Sequence, residues 1–280
     1  MSGIVSYLVF FLIQALVFAI VCLGLNLQWG YTGLFNIGVS GFYLVGAYAF
    51  ALLCGPAHAG IVAGWGLPFI VGLVGAMVAA GVVAFIVGIP TLRLRGDYLA
   101  IVTIGIGITL QLVALNTAWL TGGSRGITDI PRPLPGLVDS VSGRNLLLLG
   151  LVVVIVIVLY AALEAMVRSP WGRVLKAIRE DESAAESLGK NAFSYRLQSF
   201  VIGSAVMGLG GALNASFIGY ISPEDFMPIL TFQIWSMLIV GGGGNNKGAV
   251  LGAVRMWAVW TLSGSAAQVL LPATMQAKGG

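Results

Sequence analysis

The apolar run LLLLGLVVVIVIVLYAALEAMV, which occupies Leu146–Val167, decides the fold class of this chain. It is followed at once by the polar stretch RSPWGRVLKAIREDESAAESLGKNAFSYR, Arg168–Arg196. A helix needs about 20 consecutive apolar residues to cross the hydrocarbon core of a bilayer. Leu146–Val167 is long enough, and its only charged residue, Glu164, lies near its end. We therefore predict a transmembrane helix that emerges into a polar loop.

The rest of the chain has the same apolar character. Of its 280 residues, 9% are charged and 58% are hydrophobic, and the mean hydropathy is +0.98. A soluble domain carries about 25% charged residues, whereas no Lys, Arg, Asp or Glu occurs here between Met1 and Leu92. This composition excludes a soluble fold. One histidine and two cysteines cannot supply a three- or four-ligand metal site unaided, so we expect no metal and no cofactor.

Further apolar runs predict an all-α polytopic membrane protein with about seven or eight transmembrane helices, some of them short or broken. Residues 1–280 are interpreted as a single transmembrane domain. Ile229–Val240 is short and precedes four glycines, and Ile37–Leu53 is of marginal length, so these two runs are candidates for broken elements. The other runs are Val5–Leu27, Ile61–Ile89, Tyr98–Leu120, Leu197–Tyr220 and Ala249–Leu271.

The distribution of Lys and Arg predicts the sides of the loops, because short cytoplasmic loops are enriched in these residues. The segment 168–196 holds six of them and is predicted to be cytoplasmic, which makes the loop 121–144 external. The same alternation places Arg93 and Arg95 inside and the acidic pair Glu224 and Asp225 outside. The side of the N-terminus stays open.

The loop 168–196 is predicted to contain a helix. Ser169 is a suitable N-cap, Pro170 a suitable first helical residue and Gly189 a suitable terminator. Apolar residues recur at helical spacing and predict one buried face: Val174, Ile178, Ala185 and Leu188. That face could be buried by the bilayer interface or by a protein partner. Interfacial helices favour Lys and Arg, so the intervening acidic residues favour a protein.

Polar side chains lie in a glycine-rich stretch near the first two spans. The glycines between Gly30 and Gly46 allow either close helix packing or irregular backbone beside a pore, and both interpretations stay open. Gly244, Gly248 and Gly252 have the four-residue spacing typical of helix packing. Polar groups in hydrocarbon need partners, so we take five of them as candidates for a translocation path: Asn26, Tyr31, Asn36, Tyr43 and Thr103.

Four blocks carry a resemblance, in the same order along the chain. They are GLNLQWGYTGLFNIGVSGFYLVGAY (Gly24–Tyr48), LRLRGDYLAIVTIGIG (Leu92–Gly107), WGRVLKAIREDESAAESLGKNAFSYRLQSF (Trp171–Phe200) and GYISPEDF…GGGGNNKGAVLGA (Gly219–Ala253). The chain resembles the LivM-like permease subunits of branched-chain amino acid ABC transporters. Glu182-Ser183-Ala184-Ala185 followed by Gly189 is similar to the coupling loop of ABC importer permeases.

The resemblance implies a permease subunit in the cell inner membrane that translocates branched-chain or related amino acids. Its implied partners, besides the lipid bilayer, are two cytoplasmic ATPase subunits, a second LivH-like permease and an extracytoplasmic substrate-binding protein; no nucleic acid is implied. The sequence shows no G-x-x-x-x-G-K-[ST] phosphate loop, so ATP hydrolysis is expected on partner chains and this subunit is not expected to be an enzyme. The implied coupling residues are Trp171, Gly172, Arg173, Ile178, Arg179, Glu180, Glu182, Ala184, Ala185, Glu186 and Gly189.

Related permeases usually continue beyond the GAVLGA block, so we expect a truncated or unusual C-terminus. Two other functions stay open. One is a permease for another small neutral solute, such as urea. The other is an ion-coupled secondary transporter, although such carriers commonly place ionisable residues inside their spans. A membrane-embedded enzyme is the weakest hypothesis, because one histidine is poor material for a catalytic set.

Overall fold

A computed structural model describes residues 3–56, 64–94, 96–133 and 141–270 of the chain. Within these ranges the regular structure is helical, apart from one isolated antiparallel bridge between Ile127 and Ile221. Five helices are long and apolar enough to cross a membrane, and two shorter helices are also apolar. The predicted all-α polytopic fold, with short elements among the long ones, is therefore confirmed.

The helices follow the apolar runs closely. The chain ends α1 in a π-helical turn, Asn26–Tyr31, and two 3-10 turns lie at Gly123–Arg125 and Pro223–Phe226. The α-helices are α1 (Gly3–Leu25), α2 (Val39–Cys54), α3 (Phe69–Thr91), α4 (Asp97–Asn116), α5 (Ala118–Thr121), α6 (Val141–Arg168), α7 (Pro170–Glu180), α8 (Glu182–Ser187), α9 (Ala192–Ile218), α10 (Pro228–Gly241) and α11 (Asn246–Leu270).

The spans alternate in direction between two ends of the bundle. We call the end at which α6 reaches Arg168 the basic end; α7 and α8 lie there. The π-helical turn after α1 is at the basic end too, since the Arg179 guanidinium donates to the Gly30 carbonyl oxygen. The start of α11 is also there, because Asn246 Nδ2 donates to Glu164 Oε2 at 2.9 Å. Gly3 therefore lies at the opposite end.

Helix α9 forms the centre of the bundle and packs against α1, α2 and α3. The helices approach each other closely because glycines of one helix face the backbone of the next. A Cβ on Gly46 of α2 would overlap the backbone of Gly208 of α9. A Cβ on Gly24 of α1 would lie 2.5 Å from the carbonyl oxygen of Gly203. Helices in a bilayer associate largely through such close van der Waals contact. The packing interpretation of the glycine-rich stretch thus holds for Gly46.

Helix α2 begins inside the bundle rather than at its basic end. Gly38, just before α2, lies against the carbonyl of Thr103, the seventh residue of α4. At 1.5 Å per residue this is about 10 Å from the basic end. The segment Leu34–Gly38 is therefore a non-helical return at membrane depth, with Gly33 before it at φ +75°. The backbone of this segment is irregular, as in the second interpretation, and the pore beside it stays a prediction.

Several boundaries differ from the prediction. The third span begins at Phe69 rather than Ile61: Gly64 and Gly66 have positive φ angles, and residues 64–68 are not helical. Residues 57–63, with His58, lie outside the described ranges, as does Arg95. Gly248 and Gly252 pack on Gly241 as predicted. Gly244 does not share this stripe, since it occupies a turn at φ +81° before α11 begins.

Candidate functional site

The polar loop folds into two helices, α7 and α8, instead of the single helix predicted. Pro170 opens α7 as expected, but the Ser169 hydroxyl donates back to the Met166 carbonyl at 2.6 Å and caps nothing. Asp181 causes the break. Its backbone is extended, and its carboxylate accepts the Ala184 N–H at 3.0 Å, which makes it the N-cap of α8. Gly189 follows α8 at φ +76°, the conformation expected of a C-terminal glycine.

The inner face of α7 and α8 is buried against the bundle. Gly172 lies so close to the backbone of Val167 that a side chain would overlap it. Ile178 and Ala185 form a small apolar cluster with Ala192 at the start of α9. The Trp171 indole N–H donates to Gln198 Oε1 at 2.8 Å. Four of the predicted coupling residues thus hold the helix pair in place: Trp171, Gly172, Ile178 and Ala185.

The outer face of the helix pair is exposed, and we call it the docking surface: Arg173, Ala177, Glu180, Ala184, Glu186 and Leu188. Leu188 was predicted on the buried face, and that prediction is wrong. Its side chain is 79% exposed, because the break at Asp181 restarts the helix and shifts the register of α8. The docking surface combines charges of both signs with one large apolar side chain.

Glu182, Arg179 and Gly189 occupy the edges of the helix pair. The Glu182 carboxylate accepts a hydrogen bond from Arg196 Nη1 at 3.1 Å, in an ion pair between α8 and α9. Arg179 leaves α7 in the other direction, toward Gly30 in the π-helical turn. Lys176, one turn earlier on α7, places its ammonium 5.5 Å from the centroid of the Tyr31 ring. The predicted coupling residues therefore divide between the outer surface and contacts with the membrane bundle.

Two cavities flank Arg179. One, of about 190 Å³, is lined by Trp29, Gly30, Gly33, Arg179 and Gly243. The other, of about 250 Å³, is lined mainly by polar residues and separates α7 and α8 from the membrane bundle: Thr32, Gly33, Gly96, Ile178, Arg179, Glu182 and Arg196. The inner face of the helix pair is thus packed on the bundle, except around Arg179, where these two cavities lie.

The five candidates for a translocation path are all buried, and two of them, Asn36 and Thr103, support the non-helical return Leu34–Gly38. Asn36 Nδ2 donates to Gln28 Oε1 at 2.8 Å, and its Oδ1 accepts the Gly38 N–H at 2.8 Å. The Thr103 hydroxyl oxygen accepts the Ile37 N–H at 2.9 Å. The Tyr43 ring packs on Phe226.

The remaining two candidates, Asn26 and Tyr31, belong to the π-helical turn. Asn26 is bonded to Asn246 and Gly244, and Tyr31 faces Lys176. All five side chains therefore make contacts within this chain in the described structure, and their place in a path stays a prediction.

Sequence reasoning missed several residues that organise the same region. Gln28 donates to the Phe200 carbonyl at 2.8 Å and to the Ser204 hydroxyl at 3.1 Å. The Trp235 indole donates to the Asn36 carbonyl at 2.9 Å, and Thr231 accepts the Ser40 N–H at 3.0 Å. Gln28 could have been found, because a glutamine inside an apolar run needs a partner. Nothing in the sequence identifies what the others pair with.

The lipid-exposed surfaces differ around the bundle. The exposed side chains of α3 and α6 are aliphatic or aromatic, as at Val78, Phe85 and Val154. By contrast, α4 exposes the polar Thr109, α10 has the half-buried Ser236 among apolar residues, and the exposed Phe35 ring meets Trp235 edge-on.

A bundle of this kind, with helices of membrane-spanning length and an exposed helix pair between two of them, is a multi-pass membrane protein. The family model described as "Branched-chain amino acid transport system / permease component" matches residues 7–277. The chain belongs to this family of permeases.

Two relatives show the same kinship. The chain is 38% identical over 264 residues to the high-affinity branched-chain amino acid transport system permease protein LivM of Salmonella typhimurium (strain LT2). That alignment covers 87% of this chain and 60% of the relative. Identity to the LivM permease of Escherichia coli (strain K12) is 37% over 262 residues, or 86% of this chain and 60% of the relative. The chain thus spans about 60% of the length of these relatives. No solved structure gave a significant match.

Proposed function

We propose that the chain is a transmembrane permease subunit of an ATP-binding-cassette importer, which translocates branched-chain amino acids across the inner membrane. ATP would be hydrolysed by two cytoplasmic partner subunits, so this chain is itself no enzyme. A second, LivH-like permease and an extracytoplasmic binding protein would complete the importer. Membership of the permease family supports the class of function and the class of substrate.

The observation that carries the proposal is the docking surface on α7 and α8. An amphipathic helix pair outside the bundle buries one face on its own protein and leaves the other for a partner. On this outer face Arg173 and Glu180 are exposed to solvent, and the exposed Leu188 side chain lies at its edge. An exposed leucine among charged residues is more stable in an apolar pocket of a partner protein than in water. The partner we propose is the ATPase.

The charge distribution supports a cytoplasmic position for this surface. The basic end carries most of the cations in the described ranges, among them Arg93, Arg168, Lys190 and Lys247. The opposite end has fewer, namely Arg125, Arg132 and Arg144. The bias in Lys and Arg favours a cytoplasmic basic end, which is where ATP-hydrolysing subunits bind.

The test is transport by the reconstituted system. The chain is expressed with its cognate ATPases, second permease and binding protein, purified through a tag on the ATPase, and placed in proteoliposomes. We expect the chain to co-purify and the vesicles to take up leucine, isoleucine and valine only with ATP. Uptake of urea instead would contradict the substrate. Uptake driven by a sodium or proton gradient without ATP would contradict the proposed mechanism.

A further inference from the structure

The π-helical turn Asn26–Tyr31 connects α1 to the non-helical return before α2. Single π-helical turns are rare and occur often at functional sites. Here the turn widens the end of α1, and the chain then reverses through Gly33 at φ +75°. The Leu34 N–H donates back to the Gln28 carbonyl at 2.9 Å. The turn and the return are therefore one hydrogen-bonded unit.

Side chains extend this unit to the start of α2. Gln28 Oε1 accepts from Asn36 Nδ2 at 2.8 Å, and Asn36 Oδ1 accepts the Gly38 N–H, also at 2.8 Å. Gly38 is the residue before the first turn of α2. A displacement of the turn therefore reaches α2 at membrane depth through two successive side-chain bonds.

The other side of the turn is held by α7. Arg179 donates from Nη1 to the Gly30 carbonyl oxygen. Lys176 adds a cation–π contact to Tyr31, with 5.5 Å from Nζ to the ring centroid. Both residues lie on the helix whose outer face forms the docking surface. Arg179 is suited to this position, because the guanidinium remains charged and its rigid fork fixes the direction of the bond.

The cavities beside Arg179 leave space for movement. Volumes of about 190 and 250 Å³ lie on its two sides, both bordered by Gly33. A closely packed interface would resist a small shift of α7. Here the space lies around Arg179, near the end of α7, whereas Gly172 holds the start of that helix against Val167. A shift of the end of α7 can therefore pull on the turn through the Arg179–Gly30 bond.

From this geometry we propose that Arg179 is a positioning residue that transmits displacement of α7 to the start of α2, through the π-helical turn and the Gln28–Asn36 pair. Lys176 assists it through Tyr31. The inference rests on the proposed function, because the proposed ATPase partner is what displaces α7. Coupling of this kind requires that the two states differ in their contacts; the Arg179–Gly30 bond carries the shift of α7 to the turn, so that the contacts at the start of α2 change.

The experiment compares Arg179→Ala, Arg179→Lys and the control Lys190→Ala in the reconstituted importer. Lys190 is exposed beyond α8 and outside the docking surface, and its replacement removes the same charge. ATP hydrolysis and leucine uptake are measured on the same vesicles. For Arg179→Ala we expect normal co-purification with the ATPase and hydrolysis within about twofold of wild type. We expect the number of leucines transported per ATP to fall about tenfold, within the range typical of coupling between sites.

For Arg179→Lys we expect an intermediate ratio, and for Lys190→Ala an unchanged one. A second readout follows the non-helical return itself. A thiol probe at Phe35→Cys should change its labelling rate on addition of ATP in the wild-type background and stop responding with Arg179→Ala. Thermal unfolding of each variant in detergent verifies that it is folded.

Three results would overturn the proposal. An unchanged leucine-to-ATP ratio with Arg179→Ala would show that Arg179 does not couple ATP hydrolysis to transport. Loss of co-purification in that variant would make Arg179 a docking residue instead. If the labelling of Phe35→Cys still responded to ATP in the Arg179→Ala background, the displacement would reach the return by a path that does not include Arg179. A wild-type chain that neither binds an ATPase nor imports amino acids would instead contradict the proposed function, so the two failures are distinguishable.

Discussion

Asn26 Nδ2, in the first turn after α1, donates to Asn246 Oδ1, in the first turn of α11, at 2.9 Å across 220 residues of chain. Both side chains are buried. Asn26 Oδ1 also accepts the Gly244 N–H at 2.8 Å, and Asn246 Nδ2 donates to Glu164 Oε2 at 2.9 Å. Helices α1, α6 and α11 are therefore joined at the basic end by one small polar network.

We expect Asn246→Leu to destabilise the protein, because it leaves the Asn26 amide buried without its acceptor and removes a donor from Glu164. Leaving one buried polar group unsatisfied costs about 1–3 kcal/mol. Thermal unfolding in detergent measures the change. Asn116→Ala is the matched control, since Asn116 is exposed and donates only to the Leu112 carbonyl of its own helix; we expect it to shift stability by no more than about 0.5 kcal/mol. Equal shifts in the two variants would contradict this account of the network.

We expect Gly46→Ala to separate α2 from α9. A Cβ at this position would overlap the backbone of Gly208, which cannot move aside as a flexible side chain could. Overpacking of this type costs roughly 1–3 kcal/mol or more. Gly105→Ala provides the contrast, because a Cβ there has no neighbour within 4 Å. It should leave stability unchanged or raise it by about 0.5–1 kcal/mol through helix propensity. Thermal melts that rank the two variants the other way would refute the packing described here.

We expect Leu188→Glu to weaken binding of the ATPase without affecting insertion or folding. The side chain is exposed in the isolated chain, so the loss arises only when a partner covers it. Burial of a leucine contributes about 1.5–3 kcal/mol, which corresponds to at least a tenfold change in affinity. Titration of the purified permease with ATPase measures it, and Leu188→Met serves as the control. Tight binding by Leu188→Glu would show that Leu188 lies outside the interface.

We expect Asp181→Ala to loosen α8, because the carboxylate that accepts the Ala184 N–H is lost. N-cap removal costs about 0.5–2 kcal/mol. Hydrogen exchange of the amides of Glu182–Ser187 should speed up by up to about 30-fold, while exchange in α9 stays as it is. Asp181→Ser should largely restore protection. If α8 exchanged at the wild-type rate without a cap, its order would have to come from its contacts with α9 alone.

We expect the basic end to face the cytoplasm. In intact cells a membrane-impermeant maleimide should label Thr128→Cys, near the opposite end, and should label Ser187→Cys only after the cells are permeabilised. Both positions are exposed in the structure, and the two natural cysteines, Cys22 and Cys54, are buried. The reverse labelling pattern would place the docking surface outside the cell and exclude an ATPase as its partner.

The sequence was sufficient for those features that depend on local composition. Apart from the start of α3, the long apolar runs predicted the spans to within about five residues, and Pro170 and Gly189 predicted the start of α7 and the end of α8. Charge was sufficient to single out the polar loop. These features follow from hydrophobic length and from backbone preferences, which each residue carries with it.

Features that depend on distant partners were not predictable. The helical periodicity assumed one continuous helix through the loop. Because the chain breaks at Asp181 and starts a new helix, the prediction placed Leu188 on the wrong face. The position of α2 is fixed by Thr103 and Trp235, which bond to the return from two other helices. Polar residues such as Asn36 were singled out as candidates for a translocation path, but the sequence does not distinguish a polar group that holds backbone from one that contacts a solute. That distinction depends on which neighbours the fold supplies.

The contact between α1 and α11 has a consequence for biosynthesis. A ribosome adding 5–20 residues per second makes Asn246 roughly 10–45 s after Asn26. During that interval the nascent first span has an amide without its final acceptor. A polar group in lipid at that stage must be shielded by water at the membrane surface or by the insertion machinery. The polar network that joins α1, α6 and α11 can therefore form only after α11 has been made, so the basic end of the bundle closes late in synthesis.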